Sequence, residues 1–501
     1  MLAKPRSDLK TNTFDFENLP LVAPSGFREY DARWLFPDQI NLVGVRALGL
    51  GLGTVIHDMG VRPAIAVGHD FRSYSASIKN ALIIGLMAAG CEVHDIGLAL
   101  SPMAYFSQFE LDLPAVAMVT ASHNENGWTG VKMGAQRPLT FGPEEMSRLK
   151  EVVLAGAFRT RPGGSYVAVD GMAERYIADL SKGKTLKRKL KVIAACGNGT
   201  AGAFAPRVLE AIGCEVVAMD CNLDWTFPRY NPNPEDMEML HAMAHAVKEH
   251  GADVAFGFDG DGDRCGVVDN DGNEIFADKV GVMLARDLSA LHKNAQFVVD
   301  VKSTGLFVTD PVLIANGAKT DYWKTGHSYI KRRANEIKAL VGFEKSGHYF
   351  FNAPIGRGYD DGLVSAVAIC EMLDRNPSKS MADLYRDLPT TWGSPTMSPY
   401  CADEVKYDIV ERVTAIYQNA KAKGEKIAGQ TIRDLVTVNG VRVVLEDGTW
   451  GLVRASSNKP NLVVVVESPT AEANMKAIFK DIDTRLGAMS EVGEYDQKIS
   501  L

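Results

Sequence analysis

The chain has 501 residues, which at roughly 100–200 residues per domain predicts several domains. Its composition, 46% hydrophobic and 23% charged, is typical of globular protein and excludes a disordered or fibrous chain. With 54 basic and 62 acidic residues the net charge is -8, which disfavours a nucleic-acid-binding protein because a phosphate backbone would be repelled.

The amino-terminal segment has no apolar core between its charged residues, and no window approaches the roughly 18 apolar residues of a membrane span. We therefore expect a cytoplasmic protein that binds neither nucleic acid nor membrane. The seven cysteines are odd in number and show no metal-ligand spacing, which predicts reduced core residues.

One pattern recurs three times along the chain: a strand, a turn containing glycine, an amphipathic helix, a glycine and a second strand. Alternation of strands and helices at this spacing indicates largely parallel sheets, whose functional groups gather at the carboxyl ends of strands. The first strand and helix of the three units are predicted at 63–70 and 73–89, 191–199 and 203–212, and 296–305 and 307–316.

After about residue 395 the pattern changes to one long helix followed by short β-rich runs, which indicates an α+β domain. The predicted fold class is therefore α/β, with three similar domains of mixed, largely parallel sheets and a smaller carboxyl-terminal α+β domain. The predicted domains are residues 1–180, 181–294, 295–393 and 394–501.

A serine lies where the predicted strand 114–120 ends. Ser122 stands on a polar loop, and His123 and Lys132 offer positive charge nearby. A free serine hydroxyl needs a base, a metal or prior phosphorylation to act as a nucleophile. The segment is equally consistent with an ordinary polar turn.

The sharpest local signal is the alternation of aspartate and glycine in Asp259, Asp261 and Asp263. Clustered carboxylates are costly unless a cation lies among them. An EF-hand calcium loop is excluded, because its sixth and twelfth positions would be Arg264 and Asn270. Carboxylates with open coordination positions suit Mg²⁺, and Arg264 suits a phosphoryl group. A solvated acidic turn is the alternative.

Two further polar loops follow predicted strands. Glu344 and Ser346, two residues apart, could both face a polyol, and the segment 454–460 offers a guanidinium, hydroxyls and turn amides to a phosphate. Alone, the first is equally consistent with a capping or turn role, and the second is more typical of a polar hairpin loop.

A competing motif is the G-x-G-x-x-G sequence at 197–202, with Asp220 about 20 residues further on. This pattern predicts a dinucleotide site and an NAD-dependent oxidoreductase. Under that hypothesis the serine loop and the aspartate triad would have no role.

The four loops around Ser122, Asp259, Glu344 and Arg454 occur in the order found in the α-D-phosphohexomutases, and the sequence resembles the phosphomannomutase/phosphoglucomutase branch of that family. The resemblance implies three α/β domains and a fourth domain around a central cleft. It also implies an intramolecular phosphotransferase that interconverts hexose 1-phosphates and 6-phosphates through a phosphoserine, with Mg²⁺ and a hexose 1,6-bisphosphate.

The resemblance implies roles for residues that match the family's motifs. The catalytic residues would be Ser122, His123, Lys132, Arg264 and His327, with Lys132 and His327 transferring protons; the metal ligands would be Ser122, Asp259, Asp261 and Asp263. The substrate-binding residues would be Tyr30, Arg33, Lys302, Glu344, Ser346, His348, Arg454, Ser456, Ser457 and Asn458.

Three departures from the family's usual residues bear on sugar preference: Trp34, Lys345 and the pair 458–459. We expect glucose and mannose phosphates to be used, and glucosamine phosphate to rank below them because Lys345 would repel its amine. The alternatives are a phosphoglucosamine mutase and a non-catalytic phosphosugar-binding protein.

Overall fold

A computed structural model gives the structure of the chain and describes residues 6, 8–457 and 459–500. Its residues divide into two compact units: residues up to 280 with 346–384, and residues 281–345 with 385 onward.

The strands alternate with helices through most of the chain and cluster near its end. They are β1 Ala32–Leu35, β2 Ala64–His69, β3 Glu92–Leu98, β4 Ala115–Val119, β5 Trp128–Gly134, β6 Ser165–Ala168, β7 Lys191–Ala195, β8 Glu215–Met219, β9 Val254–Phe258, β10 Cys265–Asp269, β11 Glu274–Ile275, β12 Gln296–Asp300, β13 Lys319–Trp323, β14 Val341–Phe343, β15 Tyr349–Phe351, β16 Trp392–Gly393, β17 Lys426–Ile427, β18 Gln430–Val436, β19 Val441–Leu445, β20 Trp450–Ala455 and β21 Leu462–Ser468.

The helices range from single turns to five turns. They are α1 Phe14–Asn18, α2 Leu42–Asp58, α3 Ser75–Ala88, α4 Ser101–Glu110, α5 Pro143–Ala155, α6 Met172–Ser181, α7 Ala205–Ala211, α8 Met237–His250, α9 Ala277–Leu291, α10 Leu306–Thr309, α11 Pro311–Ala315, α12 His327–Glu336, α13 Gly362–Arg375, α14 Met381–Arg386, α15 Lys406–Lys423 and α16 Glu472–Gly487.

The first unit contains two mixed sheets, with strand orders β1-β5-β4-β2-β3-β6 and β11-β10-β9-β7-β8. In both sheets the neighbouring strands on one side are parallel, as β2 with β4 and β7 with β9 show, and the antiparallel pairs lie on the other side only, beginning with β5 on β4 and β10 on β9. The loops after β2, β4, β7 and β9 therefore leave from carboxyl ends of parallel strands, where polar groups are most available.

Close packing of α2 on α3 stabilises the first sheet. A Cβ atom at Gly49 would lie 2.3 Å from the carbonyl oxygen of Leu82, and one at Gly85 would lie 2.1 Å from that of Arg46. Glycine is required at both positions because the two helix backbones approach each other there.

In the second unit β12 pairs in parallel with both β13 and β14. The prediction of a single helix at 307–316 is wrong, because the chain forms two short helices there, α10 and then α11. Asp310 is responsible: its Oδ1 accepts hydrogen bonds from the backbone amides of Val312 and Leu313, at 3.0 and 3.1 Å, and so caps α11. Pro311 then takes the first helical position, where its missing amide costs nothing.

The carboxyl-terminal region of the second unit is an antiparallel sheet of order β16-β21-β20-β19-β18-β17. Tyr417 of α15 and Phe479 of α16 are fully buried against it, together with Val464 of β21. The predicted fold class, α/β units with mixed sheets and a smaller α+β domain, is confirmed. Among the described residues, no helix has both the length and the apolar character needed to cross a membrane.

Candidate active site

The serine loop begins where the buried strand β4 ends. Ser122 is only 2% exposed and its backbone φ is +53°. This left-handed conformation is unfavourable for a residue with a Cβ, and it persists only where the surroundings hold it.

Two residues that sequence analysis did not identify, Asp70 and Arg72, hold the serine loop in this conformation. Nη2 of Arg72 donates to the carbonyl oxygens of Ser122, at 3.1 Å, and Asn124, at 2.7 Å. Asp70 forms a buried ion pair with Arg72 and accepts a hydrogen bond from the Thr120 hydroxyl at 2.9 Å. Both residues follow β2, the parallel neighbour of β4, and this position was the one available sequence signal.

The metal loop follows β9. Asp259, Asp261 and Asp263 are all 0% exposed. Glycine is required between them, because Gly262 has a φ of +73° and a Cβ at Gly260 would lie 2.5 Å from the carbonyl oxygen of Ser122. The alternation of aspartate and glycine therefore lets the carboxylates converge while the loop packs directly on the serine loop.

Oxygen atoms from the three carboxylates lie within 4.8 Å of one another. In the described part of the chain, Oδ1 of Asp261 and Oδ1 of Asp263 are buried without a hydrogen-bond partner. The Ser122 hydroxyl donates to Oδ2 of Asp259 at 3.1 Å. Buried carboxylate oxygens with free lone pairs are the donors that a hard divalent cation prefers, so the triad fits such an ion.

Lys132, on β5, lies directly against the triad. Its Nζ donates to Oδ2 of Asp261 at 2.7 Å and also to Asp263. Burial opposes its charge, but the two carboxylates raise the pKa of Lys132 well above its usual value. The ammonium group is therefore protonated and balances part of the triad's charge.

The carboxylates of the triad differ from one another. Burial, reinforced by Asp261 and Asp263, raises the pKa of Asp259 well above its usual range. Burial would also raise the pKa of Asp261, but Lys132 and a hydrogen bond from the Ser101 hydroxyl, at 2.6 Å, lower it. Asp259, unlike Asp261, is thus held toward its neutral form by burial and by its neighbours, an effect that a bound cation would oppose.

Arg264 and His348 lie beside the triad. The Arg264 backbone amide donates to Oδ1 of Asp259 at 3.2 Å, and its Nε donates to Nε2 of His348 at 3.0 Å. Nδ1 of His348 is 3.0 Å from Oδ2 of Asp360 and 3.6 Å from Oδ1 of Asp263. Burial opposes the charged ring, but Asp263 and Asp360 raise the pKa of His348.

The charge of His123 differs from the one predicted from the sequence. Its Nδ1 is 3.2 Å from the Ser122 hydroxyl, as a neighbour of the nucleophile would be. Burial, followed by the charges of Arg264 and Arg33, lowers the pKa of His123 well below its usual value. The expectation of positive charge at His123 is therefore wrong at neutral pH, and the local positive charge comes from Lys132 and the arginines.

Arg33 reaches the serine loop from β1, where its Nη1 donates to the carbonyl oxygen of Ala121 at 3.4 Å and its Nε to Asp31 at 2.9 Å. Tyr30 precedes β1 and is buried.

Trp34, in contrast, points into the core: it is 1% exposed and its indole donates to the Ala23 carbonyl at 2.8 Å. Trp34 is a packing residue and does not contact the site.

In the second unit, three predicted residues lie at the carboxyl end of the parallel sheet. Lys302 follows β12, with Nζ 4.0 Å from Oδ2 of Asp300. Buried Glu344 follows β14, and its Oε1 accepts the backbone amide of Gly326 at 2.5 Å. That contact places Glu344 next to His327, the first residue of α12 and itself buried.

Ser346 is half-buried and belongs to the first unit, two residues before His348, although it is close in sequence to Glu344 of the second. The structure thus brings Ser122, His123, Lys132, the aspartate triad, Arg264 and His348 together in one unit. Lys302, His327 and Glu344 are brought together in the other.

The loop predicted to hold a phosphate joins β20 to β21 in the second unit. Arg454 belongs to β20 itself, not to the loop, and is buried with Nη1 donating to the Ala455 carbonyl at 2.7 Å. Ser456 and Ser457 are half-buried in the loop, and Asn458 lies outside the described residues.

A lysine missed by sequence analysis fixes this loop. Lys406, the first residue of α15, is buried, and its Nζ donates to the carbonyl oxygens of Ser456, at 2.5 Å, and Lys459, at 3.2 Å. An ammonium group that bonds two loop carbonyls restrains the backbone of the loop.

Comparison with known proteins agrees with this arrangement. Profiles of the phosphoglucomutase/phosphomannomutase family match the chain at residues 24–160 (α/β/α domain I), 174–272 (domain II), 276–392 (domain III) and 402–484 (carboxyl-terminal domain).

A phosphomannomutase/phosphoglucomutase from Pseudomonas syringae is 33% identical over 93% of this chain and 98% of its own length. A phosphoglucomutase from Neisseria gonorrhoeae is 30% identical over 93% of this chain and 96% of its own length. The solved structure of a phosphoglucomutase/phosphomannomutase family protein from Burkholderia thailandensis superposes with a TM-score of 0.82 at 30% identity, covering 93% of this chain and 98% of the other.

These matches run through the serine loop, the metal loop and the G-x-G-x-x-G turn alike, so the phosphohexomutase reading is favoured over an NAD-dependent oxidoreductase. The chain belongs to the phosphoglucomutase/phosphomannomutase family.

Proposed function

We propose that the chain is a phosphohexomutase that interconverts the 1-phosphates and 6-phosphates of glucose and mannose through phosphorylated Ser122. The observation that carries the proposal is the Ser122 hydroxyl, buried and 3.1 Å from Oδ2 of Asp259 at the head of the carboxylate triad. The family membership of the chain supports the same chemistry.

In the forward reaction the bond between phosphorus and Oγ of Ser122 breaks as a hydroxyl oxygen of the bound hexose phosphate bonds to phosphorus. The product of that step is a hexose 1,6-bisphosphate. Oγ of Ser122 then accepts the other phosphoryl group, which regenerates phosphoserine and releases the isomeric monophosphate. The protein does little covalent chemistry in phosphoryl transfer, so rate depends on alignment and on charge.

Asp259, Asp261, Asp263 and the Ser122 side chain are the residues that would hold Mg²⁺. When bound, the ion would neutralise charge on the transferring phosphoryl group. A solved N-acetylphosphoglucosamine mutase from Aspergillus fumigatus, 11% identical and alike in fold, was crystallised with GlcNAc-6P and magnesium.

Lys132 and Arg264 provide the fixed positive charge beside Ser122. The raised pKa of Lys132 suits a group that stays protonated and stabilises negative charge, and does not suit one that transfers a proton in either direction at neutral pH. We assign proton exchange with the sugar hydroxyl to His327, and contact with the sugar's other hydroxyls to Glu344 and Ser346.

The remaining substrate contacts are assigned from the family resemblance. Tyr30, Arg33, Lys302 and His348 would line the sugar phosphate, and Arg454, Ser456, Ser457 and Asn458 would bind the phosphate that is not transferred. The cytoplasmic location predicted from the sequence stays a prediction.

The experiment is a coupled turnover assay with the 1-phosphates of glucose, mannose and glucosamine, each with Mg²⁺ and a trace of hexose 1,6-bisphosphate. We expect turnover of the first two, within a few orders of magnitude of one another, because neither Glu344 nor Ser346 is assigned to the hydroxyl in which they differ. Ser165→Ala, a change of an exposed serine on β6, is the matched control for Ser122→Ala.

Two outcomes would contradict the proposal. Turnover of glucosamine phosphate alone would make the chain a phosphoglucosamine mutase that uses the same serine. Absence of turnover with every sugar, in folded protein that still binds them, would make it a phosphosugar-binding protein.

A further inference from the structure

A pair of cysteines lies at the carboxyl ends of two neighbouring strands in the first unit. Cys196 directly follows β7 and Cys221 follows β8 by one residue, and their Sγ atoms are 3.6 Å apart. All seven cysteines of the chain are free thiols. The pair is not used by the proposed mechanism.

The backbone geometry is compatible with a disulfide. Strands β7 and β8 are parallel with Ala195 opposite Met219, so Cys221 lies one residue beyond the position opposite Cys196, and the amide of Cys196 donates to the Met219 carbonyl at 3.1 Å. Neighbouring strands lie about 4.7–4.9 Å apart, and disulfides join residues whose Cα atoms are roughly 4.4–6.8 Å apart. The sulfurs are already in van der Waals contact.

The two thiols differ in the way that a redox pair requires. Cys221 is half-buried, whereas Cys196 is fully buried. The hydrogen bond with Cys196 lowers the pKa of Cys221, while burial raises the pKa of Cys196. The more accessible thiol is therefore also the more readily ionised one, which is the property of an attacking cysteine next to a resolving cysteine.

We propose that Cys196 and Cys221 form a reversible disulfide when the protein meets a hydroperoxide. The Cys221 thiolate attacks the peroxide oxygen, which breaks the O–O bond and gives a sulfenic acid and one water or alcohol. The Cys196 sulfur then attacks the Cys221 sulfur and expels water. Two thiols lose two electrons and two protons, and the peroxide is reduced by the same two electrons.

The disulfide would form at the base of the turn 197–202, which contacts the metal loop and the segment after β2 that holds the serine loop. The Thr200 amide donates to the Gly260 carbonyl of the metal loop at 3.2 Å, and the Thr200 hydroxyl accepts the Phe71 amide at 3.0 Å. Phe71 lies between Asp70 and Arg72, which hold the serine loop. We therefore expect oxidation to lower turnover, a consequence that rests on the proposed function.

The chain contains a matched control pair. Cys214 and Cys370 have Sγ atoms 3.9 Å apart, but both are buried, with exposures of 8% and 0%. If sulfur proximity alone decided the outcome, both pairs would oxidise. If the accessible thiol decides it, only the pair with Cys221 reacts.

The experiment treats the reduced full-length protein with hydrogen peroxide, blocks the remaining thiols with N-ethylmaleimide and maps tryptic fragments without reduction. Fragment 192–207 carries Cys196, while fragment 208–229 carries both Cys214 and Cys221. We expect the two fragments joined, with the loss of two hydrogen atoms, in the natural sequence and in Cys214→Ser. The link should be absent in Cys221→Ser and should disappear with dithiothreitol.

Several results would overturn the proposal: thiols at 196 and 221 that stay fully alkylated after peroxide, a link that persists in Cys221→Ser, or oxidation of the 214–370 pair at an equal rate. Turnover is measured on the same samples and is expected to fall with the linked fraction and recover on reduction. Linked protein with unchanged turnover would refute the expected effect on the active site. Reduced protein without activity on any hexose phosphate would refute the proposed function and leave the mapped disulfide intact.

Discussion

The serine loop and the loop joining β20 to β21 are both predicted to handle phosphate, yet they are built differently. Ser122 is buried, and its backbone is held through carbonyl oxygens by Arg72, which is anchored by Asp70. Ser456 and Ser457 are half-buried, and the buried side chain that bonds carbonyl oxygens of their loop is Lys406. A reacting atom must be placed to a fraction of an ångström, whereas a group that only grips a phosphate tolerates more freedom.

This contrast predicts that changes around Ser122 reduce kcat, while changes around Arg454 raise KM. The strongest test is Ser122→Ala, which removes the phosphoryl acceptor without disturbing its neighbours. We expect kcat to fall by about 10⁴-fold or more, with the unfolding temperature unchanged. Intact-mass measurement should show that the covalent phosphate is lost as well, whereas Ser165→Ala keeps both phosphate and activity.

The next largest effect is expected from Asp261→Asn. The change removes one of three carboxylates and leaves Lys132 with fewer partners, so we expect metal affinity to fall by about a hundredfold or more. Titration of activity with Mg²⁺ measures the shift, and excess EDTA should abolish turnover of the unaltered enzyme. Asp271→Asn, at an exposed position near the same sheet, is the control. Full activity in EDTA would refute the metal assignment.

Arg72→Ala tests the clamp on the serine loop. We expect kcat to fall by about a hundredfold with KM nearly unchanged, because a displacement of the nucleophile by about 1 Å costs that much. Arg72→Lys keeps a charge, but one ammonium nitrogen cannot occupy both the Nη1 position that pairs with Asp70 and the Nη2 position that bonds the two carbonyls, so its kcat should be intermediate. A change in KM alone would contradict the role of Arg72 in positioning Ser122.

Arg454→Ala should have the smallest effect of the four. In contrast to the changes around Ser122, it should act mainly by raising KM and not by lowering kcat. Loss of a charge-assisted phosphate contact is worth roughly 1.5–3 kcal/mol, or about ten- to a hundredfold in kcat/KM, with most of the change in KM. The matched control is Arg433→Ala, an exposed arginine on β18 of the same sheet. Equal effects of the two changes on kcat/KM would mean that Arg454 binds no phosphate.

The sequence was most informative where local pattern and chemistry coincide. The loops around Ser122 and Asp259 follow apolar strands, and the glycines of the metal loop are needed for sterics that can be anticipated from spacing alone. The fold class followed from the alternation of strands and helices. The break between α10 and α11 was missed because the apolar spacing continues across it, although Asp310 and Pro311 form a helix start.

Residues that act on the backbone of a distant segment could not be found in the same way. Arg72 is 50 residues from Ser122 and Lys406 is 50 residues from Ser456, and each contributes through carbonyl oxygens that carry no sequence signal. The charge of His123 was misjudged for a related reason, since it is set by burial and by Arg264 and Arg33, which are remote in sequence.

Gly260 gives the site an uneven tolerance to mutation. A single added methyl group there would lie 2.5 Å from the Ser122 carbonyl, which is one of the oxygens that Arg72 holds. The smallest substitution at this position would thus displace the nucleophile from a distance of 138 residues along the chain, while leaving every charged group of the site in the sequence. We therefore expect Gly260→Ala to impair turnover as the loss of Ser122 does, through the position of the nucleophile, and not as the loss of an aspartate does, through metal binding.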